Sequence, residues 1–252
     1  MSQFTSSVLM LGLSLAPIVC WASETTAEQT KAIAQIKKLG GKILVDAKNS
    51  GEPVLSIDFA RSKVTDAGLA NLQGLPHQLQ SLNLRATKVT DAGLANPKGL
   101  PQLQSLNLRS TKVTDAGLAN LKGLTQLQSL DLKFTKVTDA GLEHLQGLTQ
   151  LQSLYLGGDE ITDAGLVHLK GLPQLQSLNL LETTVTDAGL VHLKGLTQLQ
   201  SLYIGGAEIT DAGMEHLRGM TWLRSLYLWN THVTGDGMKE LQKNLPNCTI
   251  HP

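Results

Sequence analysis

The chain has 252 residues, and its 21 lysines and arginines are balanced by 21 aspartates and glutamates. A formal net charge of zero argues against nucleic acid as a partner, because such binding depends on an excess of cationic side chains that neutralise phosphates. The chain has two cysteines, so disulfide bonds are not expected to hold its fold together.

The N-terminus carries an apolar run from Val8 to Ala22. The run is short for a membrane span and has the length of a signal peptide. We expect cleavage after Ala22, so that residues 1–22 are removed and the mature chain keeps no membrane span and one cysteine, Cys248. The expected location is periplasmic, envelope-associated or secreted. No Lys or Arg precedes the run, which leaves an uncleaved anchor as the alternative.

Residues 23–53 are predicted to form an N-terminal cap of one helix and one strand. The helix is expected to end at the Gly40-Gly41 pair, and Ile43 and Val45 indicate the strand. The apolar residues on the helical face are Ala32, Ile33 and Ile36. A repeat array needs such a cap, because its first unit otherwise exposes leucines and an unpaired strand edge.

Residues 54–244 consist of eight tandem copies of one unit, followed by residues 245–252, which are interpreted as a C-terminal cap. The copies follow each other at 24 residues after a first step of 25, to which His77 adds the extra residue. They begin at Val54, Leu79, Leu103, Leu127, Leu151, Leu175, Leu199 and Leu223. No single unit can bury its leucines alone, so neighbouring units must stack.

Each unit has two halves with different periods. In the third copy Leu106 and Leu108 alternate with polar residues, which is typical of a strand, whereas Leu118 and Leu121 share one face of a short helix. The helix ends are predicted from three residues: Thr114 as the N-cap, Asp115 in the first turn and Gly123 as a left-handed C-cap.

The spacing of Leu103, Leu106 and Leu108 resembles the L-x-x-L-x-L pattern of the leucine-rich repeat family. The V-T-D-A-G-L segment that follows is similar to the bacterial 24-residue T-D-A-G-L type, a pattern also found in F-box leucine-rich repeat proteins. The resemblance implies an α/β fold, a right-handed solenoid or horseshoe with a parallel concave sheet and short helices on its convex side. Thr111 and its equivalents stand where many such repeats carry Asn, and we expect them to bond the backbone of adjacent turns.

The second repeat departs from the pattern, because Pro97 replaces the helical leucine that the third repeat has at Leu121. Proline removes a core side chain and a backbone donor. We therefore expect this convex segment to be the least regular of the array.

Three columns of residues flank the strand leucines and are expected to lie on the concave face. The first is uniformly serine. The second runs Asp58, Asn83, Asn107, Asp131, Tyr155, Asn179, Tyr203 and Tyr227. The third runs Ala60, Arg85, Arg109, Lys133, Gly157, Leu181, Gly205 and Trp229.

These columns suggest a non-catalytic module that binds a protein or peptide on its concave face. Aromatic and basic side chains are the types that anchor interfaces. The predicted contact residues are Tyr155, Tyr203, Tyr227 and Trp229 as anchors, with Arg85, Arg109 and Lys133 for an acidic part of the partner. A carbohydrate- or cell-wall-binding module would use the same aromatic residues. A substrate-receptor role rests on the F-box pattern analogy alone.

Charge separates along the array. Ten Lys/Arg stand with five Asp/Glu from Val54 to Val137, whereas three stand with ten from Thr138 to Trp222. This polarity could orient a partner electrostatically, and it could also drive salt-sensitive self-association of a structural spacer.

Residues with catalytic or metal-binding chemistry are explained by the repeat itself. Four histidines recur on the expected convex side, where curvature spreads positions apart, so we expect no metal site: His144, His168, His192 and His216. The T-D-A-G aspartates are interpreted as helix-start residues rather than acid/base pairs. No phosphate loop or nucleophile elbow occurs, and we expect neither enzymatic activity nor a cofactor.

Overall fold

A computed structural model describes residues 27–45, 54–75, 78–95, 100–158 and 160–252. The predicted signal peptide and Pro97 lie outside the described residues. The strands are β1 (Lys42–Val45), β2 (Val54–Asp58), β3 (Ser81–Asn83), β4 (Ser105–Asn107), β5 (Ser129–Asp131), β6 (Ser153–Tyr155), β7 (Ser177–Asn179), β8 (Ser201–Gly205), β9 (Ser225–Trp229) and β10 (Thr249–His251). They form one open sheet in sequence order.

The α-helices are short inside the array and longer at its two ends. They are α1 (Ala27–Lys38), α2 (Asp66–Leu69), α3 (Asp115–Ala119), α4 (Asp139–Leu142), α5 (Asp163–Leu166), α6 (Asp211–Leu217) and α7 (Gly235–Asn244). Helices of the 3₁₀ type span Ala70–Gly74, Asp91–Leu94, Asn120–Gly123, Glu143–Gly147, Val167–Gly171 and Gly189–Gly195. The tighter 3₁₀ turn lets four or five residues return the chain toward the next strand.

Strands β2 to β10 are parallel and in register, so equivalent residues of successive repeats stand side by side. β1 pairs antiparallel with β2 and covers that edge of the sheet. The leucines behind the sheet form one continuous core; Leu106 is 2% exposed and Leu108 is fully buried. The predicted solenoid with a parallel sheet and short helices is confirmed.

The predicted threonine caps are confirmed at the helix starts of the central repeats. The Thr114 hydroxyl accepts the Ala116 N–H at 3.3 Å, and the equivalent bond recurs in neighbouring repeats. The prediction of a left-handed C-cap at Gly123 is wrong. The helix ends there without a positive φ, and the next residue, Leu124, has φ −87° and ψ 59°.

The left-handed residue of the unit lies instead just after the strand. Six non-glycine residues there have φ between 53° and 66°: Arg61, Ala86, Ser110, Phe134, Glu182 and Asn230. This backbone conformation costs about 1 kcal/mol for a residue with a Cβ, and the hydrogen bonds of the turn offset that cost. Each repeat thus turns away from the sheet at one fixed position.

The threonine that recurs after this turn makes a different hydrogen bond from the one predicted. The Thr111 hydroxyl donates to the Leu108 carbonyl of its own repeat at 2.6 Å. The same bond recurs at Thr87, Thr135 and Thr183. The expected bond to an adjacent turn is therefore wrong for these threonines, because each hydroxyl donates to the carbonyl three residues back in its own turn.

Contacts between repeats are made by the T-D-A-G aspartates. Oδ1 of Asp139 accepts the backbone N–H of Thr162 at 2.8 Å, and its Oδ2 accepts the Thr162 hydroxyl at 2.6 Å. We call the series of these pairs the Asp–Thr ladder: Asp66–Thr90, Asp91–Thr114, Asp115–Thr138, Asp139–Thr162, Asp163–Thr186, Asp187–Thr210 and Asp211–Thr234. Six of the seven aspartates begin helices, as predicted, whereas the helix after Asp187 begins at Gly189. All seven join one unit to the next.

The glycine of T-D-A-G leaves the space that the aspartate carboxylate of the preceding unit occupies. A Cβ placed on Gly93 would stand 2.5 Å from Oδ1 of Asp66, and equivalent clashes occur in the following repeats. A side chain there would push the carboxylate off its threonine. Three residues of T-D-A-G therefore serve the contact between neighbouring units. The threonine caps the helix, the aspartate accepts two hydrogen bonds from the next unit, and the glycine leaves room for the aspartate of the preceding unit.

Cys248 closes the C-terminal end of the core, where it is 3% exposed. Burial raises the pKa of its thiol, so the reactive thiolate is scarce as well as shielded. We expect iodoacetamide to alkylate Cys248 slowly in the folded protein at pH 8. In urea, where the chain is unfolded, Cys248 should react as fast as an unhindered thiol. Peptide mass spectrometry of the Cys248 peptide measures this, and rapid labelling of the folded protein would contradict the buried position.

Candidate binding face

The second and third concave columns lie in adjacent rows across the sheet. Register places Tyr155 beside Asp131 and Asn179, and Tyr203 beside Asn179 and Tyr227. Asn179 therefore separates Tyr155 from the other two tyrosines. The predicted aromatic side chains share one face, but they form a pair with a more distant third member rather than an unbroken row.

Two ring stacks join the C-terminal strands. The rings of Tyr203 and Tyr227 are 4.3 Å apart and 2° from parallel, and those of Tyr227 and His251 are 4.3 Å apart and 6° from parallel. We call these three residues the ring stack. His251 was missed as a site residue, although it stands 24 residues after Tyr227 and so belongs to the same column.

The asparagines and aspartates of the second column have a structural task. Oδ1 of Asn107 accepts the N–H of Arg109, two residues on, at 2.9 Å, and this bond starts the turn that leaves the strand. The same cap occurs at Asp58, Asn83, Asp131 and Asn179. A tyrosine cannot make it, and after Tyr155 and Tyr203 the turn uses glycines with positive φ, Gly158 at 135° and Gly206 at 109°. After Tyr227 no glycine pair follows, and the non-glycine residue Asn230 takes the positive φ, at 53°.

The Gly205-Gly206 pair borders a hollow at the end of β8. Its volume is about 350 Å³, and its walls include Leu181 and Trp229, which is 65% exposed. The remaining lining residues are Lys133, Glu182, Thr183, Gly205, Gly206 and Asn230. The ring stack and this hollow occupy the C-terminal half of the concave face.

The basic residues of the third column lie in different environments. Lys133 is 7% exposed, and its Nζ lies 3.1 Å from Oε2 of Glu182 in the wall of the hollow. The Arg109 guanidinium lies 4.9 Å from the centre of the exposed Phe134 ring. Arg85 is half-buried on the same face. The structure therefore brings Lys133 to the aromatic half and leaves Arg85 and Arg109 on the basic half.

Tyr203 of the ring stack keeps its phenol proton at physiological pH. Burial raises the pKa of Tyr203, and the neighbouring hydroxyls of Tyr227 and Tyr155 raise it further. Its phenol therefore remains a hydrogen-bond donor across the physiological range. A flat aromatic surface with tyrosine hydroxyl groups at its edge suits an amphipathic ligand surface.

Two absences hold for the described part of the chain. No three His, Cys, Asp or Glu side chains gather there as a metal site. The helices described are also too short or too polar to cross a membrane. The histidine column is on the helical side, where Nδ1 of His168 lies 3.2 Å from Nε2 of Gln146.

Comparison with known proteins identifies the fold. The sequence profile of the family described as Leucine rich repeat matches residues 77–137 and 125–185. No curated protein sequence is significantly similar to the chain. The crystal structure of internalin C2 from Listeria monocytogenes is similar to it, with a TM-score of 0.61, 27% sequence identity, and coverage of 78% of this chain and 80% of that one. With its parallel sheet, short helices and matching repeats, the chain carries leucine-rich repeats and has the solenoid fold of that family.

Proposed function

We propose that the chain binds a protein or peptide partner through the C-terminal half of its concave face. Leucine-rich repeat proteins generally act in protein binding and are typically non-catalytic, and we propose that this one also acts without catalysis. The observation that carries the proposal is the ring stack beside the exposed Trp229 and its hollow. Rigid aromatic surfaces beside a concavity are the usual anchors of protein interfaces.

The residues take distinct roles in this proposal. Tyr203, Tyr227 and His251 offer a flat surface, Tyr155 extends it toward the middle of the array, and Trp229 forms the wall against which a partner side chain packs. Lys133 and Glu182 close the hollow with an ion pair, so the hollow is close to neutral and favours an apolar side chain. Arg85 and Arg109 contact an acidic portion of the partner on the neighbouring half.

The predicted export places the partner outside the cytoplasm. An envelope or secreted protein is then the partner class, consistent with a fold whose stability rests on stacked leucines rather than on disulfides. The signal peptide assignment stays a prediction from residues 1–22. Detection of the mature N-terminus by mass spectrometry tests it.

A photo-crosslinking amino acid at position 201 tests the proposal, because Ser201 shares strand β8 and the concave face with Tyr203. Incubated with envelope proteins of the source organism, this protein should yield a discrete protein adduct. We expect the yield to fall by about tenfold or more when all four predicted anchors are alanine, since anchor residues dominate binding energy. The four are Tyr155, Tyr203, Tyr227 and Trp229.

The control carries the same photo-crosslinker at the exposed Lys194 on the helical side and should give no such adduct. An adduct that survives removal of the four aromatic side chains would refute the anchor assignment. A glycan adduct would replace the protein partner by a carbohydrate.

A further inference from the structure

One column of exposed residues follows the rim of the sheet, just before the valine or isoleucine of each unit, which is buried in the first seven units and partly buried in the eighth. We call it the rim column: Lys63, Lys88, Lys112, Lys136, Glu160, Thr184, Glu208 and His232. Four lysines therefore occupy the first four repeats, and the two carboxylates occupy the last four. All eight residues are exposed.

The rim column is continuous in space. The N–H of Lys136 donates to the Val113 carbonyl at 2.9 Å, and the N–H of His232 donates to the Ile209 carbonyl at 2.8 Å, so column residues are bonded to the preceding repeat. Successive members are spaced like the strands, about 4.8 Å apart. None of the ion pairs found among the described residues involves a rim lysine, Glu160 or Glu208. These charged groups are therefore exposed and form no ion pair within the described part of the chain.

The signs in the rim column change at its midpoint, between Lys136 and Glu160. A twofold axis through this midpoint can place a second copy with its rim antiparallel against the first. The axis is perpendicular to the column and to the direction in which the rim faces. Lys136 then meets Glu160 of the other copy, and Lys88 meets its Glu208. Each contact occurs twice because the interface is symmetric. A second copy of this chain therefore carries the charges that complement the rim column.

The region next to the midpoint supports the same arrangement. Phe134 is 42% exposed and lies in the fourth repeat, where the twofold axis places it against the fifth repeat of the other copy. The equivalent residue of the fifth repeat is Gly158, and a Cβ there would meet no atom within 4 Å. The exposed Phe134 and the open position at Gly158 thus lie on opposite copies across the axis, next to the centre of the charged column.

We propose that two copies of this chain pair rim to rim, antiparallel, through the rim column. Phe134 occupies the space above Gly158 of the other copy, and two kinds of ion pair flank it on both sides. The axis leaves both concave faces open on the same side of the dimer. Because the pairs are exposed, the dimer depends on ionic strength. The proposal does not rest on the concave binding face.

Sedimentation velocity and charge-exchanged variants test this pairing. The wild-type protein should form a dimer at low ionic strength and a monomer in 1 M salt, where the Debye length is about 3 Å. The double variants K88E/K136E and E160K/E208K should each raise the dimer Kd by about 100-fold or more, because like charges then oppose each other. An equimolar mixture of the two variants should restore the dimer, since every opposed pair again has opposite signs.

The matched control is K122E/K194E, which changes net charge as much as K88E/K136E does but at exposed lysines outside the rim column. It should dimerise like the wild type, and mixing it with E160K/E208K should give no heterodimer, which excludes attraction by net charge alone. Circular dichroism verifies that each variant is folded. A wild-type monomer at low ionic strength, or equal association of the control mixture, overturns the proposal.

Discussion

Replacing Asp139 with alanine is expected to lower the free energy of unfolding by about 2–4 kcal/mol. The substitution removes both acceptors of Thr162, its N–H at 2.8 Å and its hydroxyl at 2.6 Å. The next unit loses its attachment at the point where its helix begins. Because stability in a repeat array includes the contacts between neighbouring units, the loss weakens the whole centre of the solenoid.

A second substitution, at Gly165 of the following unit, tests whether the glycine and Asp139 are coupled. Gly165→Ala should cost about 2 kcal/mol in the wild type, because its Cβ would clash with Oδ1 of Asp139. In the Asp139→Ala background the same change should be close to neutral, since alanine favours a helix over glycine and the remaining close contact, 3.0 Å to Cδ1 of Leu142, is with the end of a flexible side chain. The double-mutant cycle should therefore show a coupling of about 2 kcal/mol in urea unfolding.

A matched cycle uses Gly147, where an added Cβ meets no atom within 4 Å. Gly147→Ala should be additive with Asp139→Ala within about 0.5 kcal/mol. Additive behaviour of Gly165→Ala would mean that the carboxylate does not require the clearance that this glycine gives. Equal coupling at both glycines would mean that the loss of Asp139 changes the fold generally, rather than removing one local clash.

Gly205→Ala is expected to destabilise the C-terminal repeats by about 2–3 kcal/mol. Its Cβ would stand 2.6 Å from the Trp229 carbonyl oxygen and 3.0 Å from Cδ2 of Leu181. The first contact is with backbone, so β9 must move away from β8 to relieve it. The movement also displaces Trp229 from the wall of the hollow.

Urea unfolding followed by circular dichroism measures the stability change of Gly205→Ala. The control is Gly219→Ala, where an added Cβ meets no atom within 4 Å, and its effect should stay within about 0.5 kcal/mol. If the Gly205 variant were as stable as the control, the close approach of the two strands would be wrong. The hollow would then not depend on this glycine.

The sequence was sufficient for the features that depend on one unit alone. Alternation of Leu106 and Leu108 predicts the strand, and the position of Thr114 before a helical pattern predicts its cap, because both are local effects of backbone geometry. The repetition of the unit predicts the parallel register, since identical units stack most favourably with identical positions aligned.

The contacts between units were less accessible. Any polar column could in principle bond the next repeat, and only the height of the solenoid step brings Asp139 to Thr162. The left-handed residues after the strands carry no glycine or asparagine signal at Arg61, Ala86 or Ser110. Lys133 is buried because its side chain lies over Gly157 and its ammonium group pairs with Glu182, two repeats away. These three residues belong to three different repeats and two columns, so comparing residues within one column does not predict the burial.

The Asp–Thr ladder also bears on how such a chain can change its length over generations. Every internal unit offers a carboxylate on one side and accepts one on the other, so each junction is chemically the same as its neighbours. Loss or duplication of one whole 24-residue unit by unequal recombination rejoins an aspartate to a threonine and preserves the clearance at the glycine. A gain or loss of half a unit leaves both groups without their counterpart. The array can therefore evolve in discrete steps, and its two capped ends remain unaltered.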